Sequence, residues 1–431
     1  MWLLYNILFP VVLVMALPYY LLRMARRGGY AKGFLQRLGI YDAELRSRLA
    51  ERPRVWIHAV SVGETFVALR FMEAWRRSDP AVAFVLSVNT STGRALAAKS
   101  LHAADVMMYF PVDTPPVLAR VFRQASPVQL VLTECEFWPN LIRMARRREV
   151  PVTLINGRLS DRSYRGYRRL RFLFRPVLRL LDCLCVQSEQ DRDRFLALGV
   201  AAGHIRVAGS AKYDVALQAP GDPAVAGAIL KDAGLDTGDP ILLGGSTWAG
   251  EEDVLLDLFL RLRDRQPGLR LVLVPRHAER RDEVLEAIRR RGLTFVQRSK
   301  GGRPAGGGKP EVLLVDTTGE LRHLYTVASV VFIGKSLTQH GGQNPIEPAA
   351  CAKPVVVGPN MENFADTMRD FLAEQAVLQA ADAAGLERQI GELLSEETLR
   401  RRLGEKARQV VARNRGSLET MVRCAINAGR K

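Results

Sequence analysis

Short apolar runs alternate with helix-forming segments along nearly the whole chain, and this rhythm constrains the fold more than any other feature. Residues 55–60, 82–87, 106–109, 128–133, 152–155, 183–187 and 205–208 read as strands. Helical stretches such as 64–75 and 90–98 lie between them. Several of these strands are apolar at every position, which requires burial on both faces, as in a parallel sheet covered by helices. A second series starts at Ile241 and continues through 271–274, 312–315, 327–334 and 355–358. Pro220-Gly221-Asp222-Pro223 reads as the linker between the two series. The 431 residues suit two such domains, roughly 200 residues each. The predicted fold is α/β: a Rossmann-like domain over 31–218 and a second over 219–431. The second is expected to include the charged helical tail that starts at Glu396, and a hydrophobic anchor over 1–30 precedes both.

The anchor carries no charge from Met1 to Leu22, and Arg23, Arg26, Arg27 and Lys32 follow at once. Two arrangements fit: a single uncleaved span, or a segment dipping into one leaflet. The basic flank predicts that the rest of the chain lies on the cytoplasmic side. Residues 32–49 read as one basic amphipathic helix against acidic headgroups. The net charge of +17 calls for an anionic partner. Nucleic acid is disfavoured, because aromatic content is 7% and no nucleic-acid-binding motif is evident. The five cysteines (Cys135, Cys183, Cys185, Cys351, Cys424) show no metal-ligand spacing with one another or with the histidines. No metal is therefore expected, and Cys183 and Cys185 read as small hydrophobes on a strand in a reducing compartment.

Ligands of parallel sheets bind at the carboxyl ends of strands, and the polar clusters lie there. Glu64 opens the helix after the first strand, where it can serve as a general base or compensate the helix dipole. Glu134 and Glu136 follow residues 128–133, next to Trp138. One of the pair reads as functional and the other as a cap, and their proximity raises at least one pKa. Asn156-Gly157-Arg158 leads into interleaved tyrosines and arginines that suit phosphate or polar-lipid contacts. Lys212 ends a further strand, placed to neutralise developing negative charge. In the second series Gly244-Gly245-Ser246-Thr247 has phosphate-loop chemistry without the ending of a P-loop. Arg276 can hold a phosphate in a bidentate pair. Thr318-Gly319-Glu320 and Gly341-Gly342-Gln343-Asn344-Pro345-Ile346-Glu347 each combine a glycine turn with a helix-opening acid. Glu347 is placed to accept hydrogen bonds from ribose hydroxyls. Two Rossmann-like domains facing a cleft, with glycine loops concentrated in the second, describe a GT-B glycosyltransferase.

Six stretches, in this order, resemble one family: His58-Ala59-Val60-Ser61-Val62-Gly63-Glu64, Thr133–Asn140, Gly209–Asp214, Val274-Pro275-Arg276-His277, Asp316–Glu320 and Gly341–Glu347. The chain resembles the 3-deoxy-D-manno-octulosonic acid (Kdo) transferases of Gram-negative lipopolysaccharide inner-core assembly. The resemblance implies transfer of Kdo from CMP-Kdo to a lipid A precursor (lipid IVA), with inversion, at the inner membrane, without metal or cofactor. It implies that Glu64 is the general base and that Glu134 and Lys212 stabilise the transition state. It also implies that Pro275, Arg276, Thr318, Gly319, Glu320, Asn344, Pro345, Ile346 and Glu347 line the CMP pocket. The chain departs from the family pattern at Trp248-Ala249, where His-Glu is usual, at Lys335, where glycine is usual, and at Gln343, where histidine is usual. Competing expectations are another GT-B enzyme using a different nucleotide sugar, a nucleotide-sugar epimerase, and a membrane-tethered nucleic-acid-binding protein.

Overall fold

The computed structural model describes residues 2–27, 33–218, 221–302 and 308–430. The chain divides into two units, residues 1–215 with 416–431, and residues 216–415. The first holds seven parallel strands: β1 (Val55–Ala59), β2 (Phe84–Val88), β3 (Val106–Tyr109), β4 (Gln129–Thr133), β5 (Val152–Gly157), β6 (Cys183–Val186) and β7 (Ile205–Val207). Their order is β3-β2-β1-β4-β5-β6-β7. The second holds β8 (Ile241–Thr247), β9 (Arg270–Pro275), β10 (Phe295–Gln297), β11 (Val312–Leu314), β12 (Val330–Ile333), β13 (Val355–Val357) and β14 (Leu378–Gln379). Their order is β10-β11-β9-β8-β12-β13-β14, again with every described pair parallel.

The uninterrupted apolar runs are explained by two cores per sheet. Val55, Ile57 and Ala59 of β1 belong to one cluster with Phe71 and Phe84, while Trp56 points into the other with Leu130 and Phe122. Alternation persists along the strand, but both faces meet helices, so polarity does not alternate. Strand order then dictates where ligand loops meet. β1 is flanked by β2 and β4, and β8 by β9 and β12. At these positions the direction of winding reverses, which opens a crevice at the strand ends.

Three expectations need correction. The C-terminal helix Ser417–Gly429 belongs to the first unit, not the second. Leu418, Met421, Val422, Ala425 and Ala428 recur on one helical face and join the core of the first sheet. Asp214 fixes its start by accepting from Gly416 N–H (2.7 Å) and Leu418 N–H (2.8 Å). The basic helix expected over 32–49 is two pieces, Leu35–Leu38 and Ala43–Ala50. Gly39, at φ 70°, ends the first piece, and a Cβ there would meet Val121 at 3.0 Å.

The third correction concerns the anchor. Residues Trp2–Arg27 form a helix, yet among the described residues no helix is long and apolar enough to cross a membrane. The start of this helix is docked on the first unit by polar contacts. Tyr5 Oη donates to Asp113 Oδ2 at 2.8 Å, Asn140 Nδ2 donates to Asn6 Oδ1 at 2.7 Å, and Arg143 lies 4.7 Å from the Trp2 ring centroid. Its other face leaves Leu3, Ile7, Val12, Val14 and Met15 exposed.

Candidate active site

In the first unit the pairing of β1 with β4 sets the loops after them side by side, with His58 opposite Leu132. Glu64 sits in the first turn of helix Val62–Ser78, where Ser61 and Glu64 form a reciprocal capping box. The Glu64 carboxylate accepts from Val60 N–H at 2.8 Å and Ser61 N–H at 3.3 Å. The Thr133 hydroxyl, at the end of β4, lies 3.1 Å from Glu64 Oε2 and 2.8 Å from the His58 carbonyl. The expected place of Glu64 at the helix start takes the form of a capping box, which holds the carboxylate against the end of β4.

β4 stops at Thr133, and Glu134 adopts a left-handed backbone, φ 53°. Such a conformation in a non-glycine residue stores strain and concentrates at functional loops. The strand does not continue, so Glu134 and Glu136 are placed by the turn and not by strand alternation. Asn156, itself at φ 54°, ties this turn to helix Ala211–Gln218. Its Nδ2 donates to Glu134 Oε1 at 3.3 Å, and its Oδ1 accepts from Ala211 N–H at 3.0 Å, one residue before Lys212. Asn156, which the sequence marked only as the start of a phosphate- or lipid-binding stretch, is a positioning residue here. Its signal was a polar residue ending an apolar strand.

Electrostatics show which charges share this space. Burial lifts the Glu134 carboxyl above its ordinary range, Lys212 and Arg158 oppose that, and Glu64 adds to it. Burial also lifts Glu136, to about 7, helped by the charges of Glu64 and Glu134 and opposed by a 3.0 Å hydrogen bond from Trp138 Nε1. The fold therefore gathers Glu64, Glu134 and Lys212 and adds Glu136, a group poised to exchange a proton near neutrality. His58 is fully buried, stacked on Phe110 at 3.8 Å and bonded through Nδ1 to Ser87 Oγ at 3.0 Å. Burial holds its pKa near 3, so it is neutral and structural. Beside Glu136 and Trp138 lies an apolar groove of about 400 Å³, walled by Leu4, Leu8, Phe9, Phe137 and Phe174.

In the second unit β8 pairs with β9 and β12, so Gly245 aligns with both Val274 and Ile333. The loops after these strands form one row. Glu251, fully buried, stitches two of them together. Its Oε2 accepts from Trp248 N–H (2.9 Å) and Lys335 N–H (2.8 Å). Its Oε1 accepts from Ser336 N–H (2.9 Å) and Leu337 N–H (3.0 Å). Gly334 is required by this closeness, because a Cβ there would lie 2.4 Å from the Ser246 carbonyl oxygen. Lys335, at φ 57°, carries its ammonium 4.6 Å from the Trp248 ring centroid, and Trp248 meets His277 edge-on at 5.1 Å. The departures from the family pattern at 248 and 335 thus touch each other, a cation on an aromatic face.

Pro275 is buried, and Arg276 is exposed at the end of β9 with its N–H on the Thr247 carbonyl at 3.0 Å. Asn344 Nδ2 donates to Glu347 Oε1 at 3.0 Å, and Asn344 Oδ1 accepts from Ile346 N–H at 3.1 Å. Burial raises the Glu347 carboxyl, and the charges of Arg322 and Arg276 oppose it. Arg276, Asn344 and Glu347 are therefore brought together, with Arg322 as an addition. The helix at Glu347, Ile346–Ala350, is a single short turn, so its dipole is weaker than expected. Pro345 and Ile346 are buried beneath it. Thr318 and Gly319 are exposed, while Glu320 is engaged by Arg298 at 3.1 Å and by the Thr317 hydroxyl. That ion pair makes Glu320 a clasp for its own loop.

The family described as 3-deoxy-D-manno-octulosonic-acid transferase (kdotransferase) matches residues 32–215, and glycosyl transferases group 1 matches residues 308–410. A 3-deoxy-D-manno-octulosonic acid transferase of Bordetella pertussis is 35% identical over 411 residues, 92% of each chain. One from Haemophilus influenzae is 30% identical over 406 residues, 90% of this chain and 93% of its own. A UDP-GlcNAc 2-epimerase from Neisseria meningitidis superposes with a TM-score of 0.60 at 12% identity, over 87% of this chain and 100% of its own, a likeness of fold alone. With two parallel-sheet α/β domains of the GT-B kind and relatives matching nearly end to end, the chain belongs to the 3-deoxy-D-manno-octulosonic acid transferase family.

Proposed function

We propose that this enzyme transfers Kdo from CMP-Kdo to lipid IVA during lipopolysaccharide inner-core synthesis, at the cytoplasmic face of the inner membrane. The observation that carries the reading is the match along 92% of the chain to a Kdo transferase, joined to a carboxylate–lysine cluster at the winding reversal of the first sheet.

The chemistry follows from the groups present. The acceptor is a sugar hydroxyl, which must lose its proton as it attacks the anomeric carbon, and an adjacent carboxylate takes that proton. Glu64 is the assigned base, fixed by the N–H groups of Val60 and Ser61. Glu134 and Lys212 form an opposite-charge pair beside it that stabilises charge developing in the transition state. Attack from the face opposite the leaving group inverts the centre. In the second unit Arg276 takes the CMP phosphate, Lys335 supplies a further cation, and Glu347 with Asn344 accepts the ribose. A monophosphate leaving group carries less charge than a pyrophosphate, so these cations serve without a metal.

The lipid acceptor is supported by two features of the first unit. The apolar groove beside Glu136 suits acyl chains. Helix Asp161–Arg169 exposes Arg162, Arg165, Arg168 and Arg169, which suit lipid phosphates. The exposed apolar face of helix Trp2–Arg27, followed by basic residues, suits seating in one leaflet.

Mass analysis of lipid after incubation with CMP-Kdo and a tetraacylated disaccharide acceptor tests the reading. A mass gain of one or more Kdo units is expected. Turnover of a UDP-sugar, with CMP-Kdo left intact, would replace this reading with the epimerase-like alternative.

A further inference from the structure

Cys183 and Cys185 lie two apart on β6, so their side chains leave the sheet on the same face. Cys424, far along the sequence, lies on helix Ser417–Gly429, which packs on that face. The three sulfur atoms all fall within 4.8 Å of one another. Cys185 is fully buried in the apolar cluster, and Cys424 is half-buried at its rim. The cluster shares the electrostatic neighbourhood of Arg206 and, on the helix, Arg423. Two guanidinium groups offset the charge that three thiolates would accumulate. Among the described residues no carboxylate or histidine completes the set, which leaves a pure sulfur donor group.

Three convergent thiols are more than apolar packing needs. Zinc–thiolate bonds of about 2.3 Å put neighbouring sulfurs at close to 4 Å, so the observed separation closes on a cation with small side-chain movement. Sulfur-only donors select soft d10 ions over hard ones. The geometry points to Cys183, Cys185 and Cys424 as a three-thiolate site for a soft d10 cation, of the Cu(I) or Zn(II) kind, that clamps the C-terminal helix to the first sheet. Binding deprotonates the thiols and releases their protons, and no electron is transferred. None of the carboxylates of the active-site cluster is among the donors of this site. Its effect is on the stability of the unit, because a ligand that binds only the folded state raises the melting temperature.

Anaerobic titration of the reduced full-length protein with Cd(II), a spectroscopic probe for such sites, tests this. One Cd(II) per chain is expected, with an ultraviolet sulfur-to-metal charge-transfer band. Three of the five cysteines should lose reactivity toward a thiol reagent, and the melting temperature should rise. Cys424→Ser should abolish the band and the rise. A Cys135→Ser/Cys351→Ser double variant should keep both. Cys183→Ser serves as the second arm if the helix variant misfolds. An unchanged band in both cluster variants, no band in the parent, or a disulfide joining Cys424 to β6 in protein purified without reductant would each overturn the assignment.

Discussion

Glu136 stands apart at the residue scale because its carboxyl is lifted from 4.5 to about 7. The folded state holds this proton more tightly than the unfolded chain. Its contribution to stability is therefore full below about pH 4.5 and is lost as the pH rises through about 7. Glu136→Gln should flatten the dependence of the urea midpoint on pH across that window, which equilibrium unfolding at several pH values measures. Glu64→Ala should abolish transfer and, by removing half of a capping box, cost about 1 kcal/mol. An intact near-ultraviolet circular dichroism spectrum would show that the loss is chemical. Lys335→Gly relieves a left-handed backbone but loosens the unfolded chain, and these terms are each about 1 kcal/mol and opposed. Stability should hardly move, so weaker CMP binding by calorimetry isolates the cation. The strand-end places of Glu64 and Lys212 were legible in the sequence. The placement of Glu134 and Glu136 was not, because it depends on where β4 stops and on the left-handed turn that follows.

At the scale of elements, one buried carboxylate joins two loops of the second unit. Glu251→Ala would orphan four backbone N–H groups, and each buried orphan costs on the order of 1–3 kcal/mol. The melting transition should fall steeply and CMP binding should be lost with it. The strands themselves were readable, since β12 and β13 are continuous apolar runs and β8 and β9 each contain one. β10 and β14 were not, because segments as short as Phe295–Gln297 and Leu378–Gln379 carry too little pattern. Residues 32–49 misled for a specific reason. Their basic and apolar spacing is helical, but Gly39 breaks the helix where the backbone passes close to Val121.

At the scale of the molecule, net charge and an exposed apolar helix face should act together on a lipid surface. Replacing Leu3, Val12 and Met15 by Asp should remove most of the protein from sedimenting vesicles of anionic lipid. For the parent protein, rising salt should weaken this binding only in part, because screening acts on the arginines and not on apolar burial. The position of the C-terminal helix was illegible at this scale. Its face of Leu418, Met421, Val422 and Ala425 announces burial, but nothing local names the sheet that buries it.

Periodicity, glycine placement and the order of short motifs are local, and they were enough to read two parallel sheets, the strand-end loops and the family. Contacts between distant segments belong to the tertiary structure alone. Asn156 joining Glu134 to the helix of Lys212, Glu251 holding Ser336, and Cys424 beside Cys185 all depend on which strands become neighbours. That choice rests on burying whole faces against one another, a cooperative outcome that no single stretch of chain encodes.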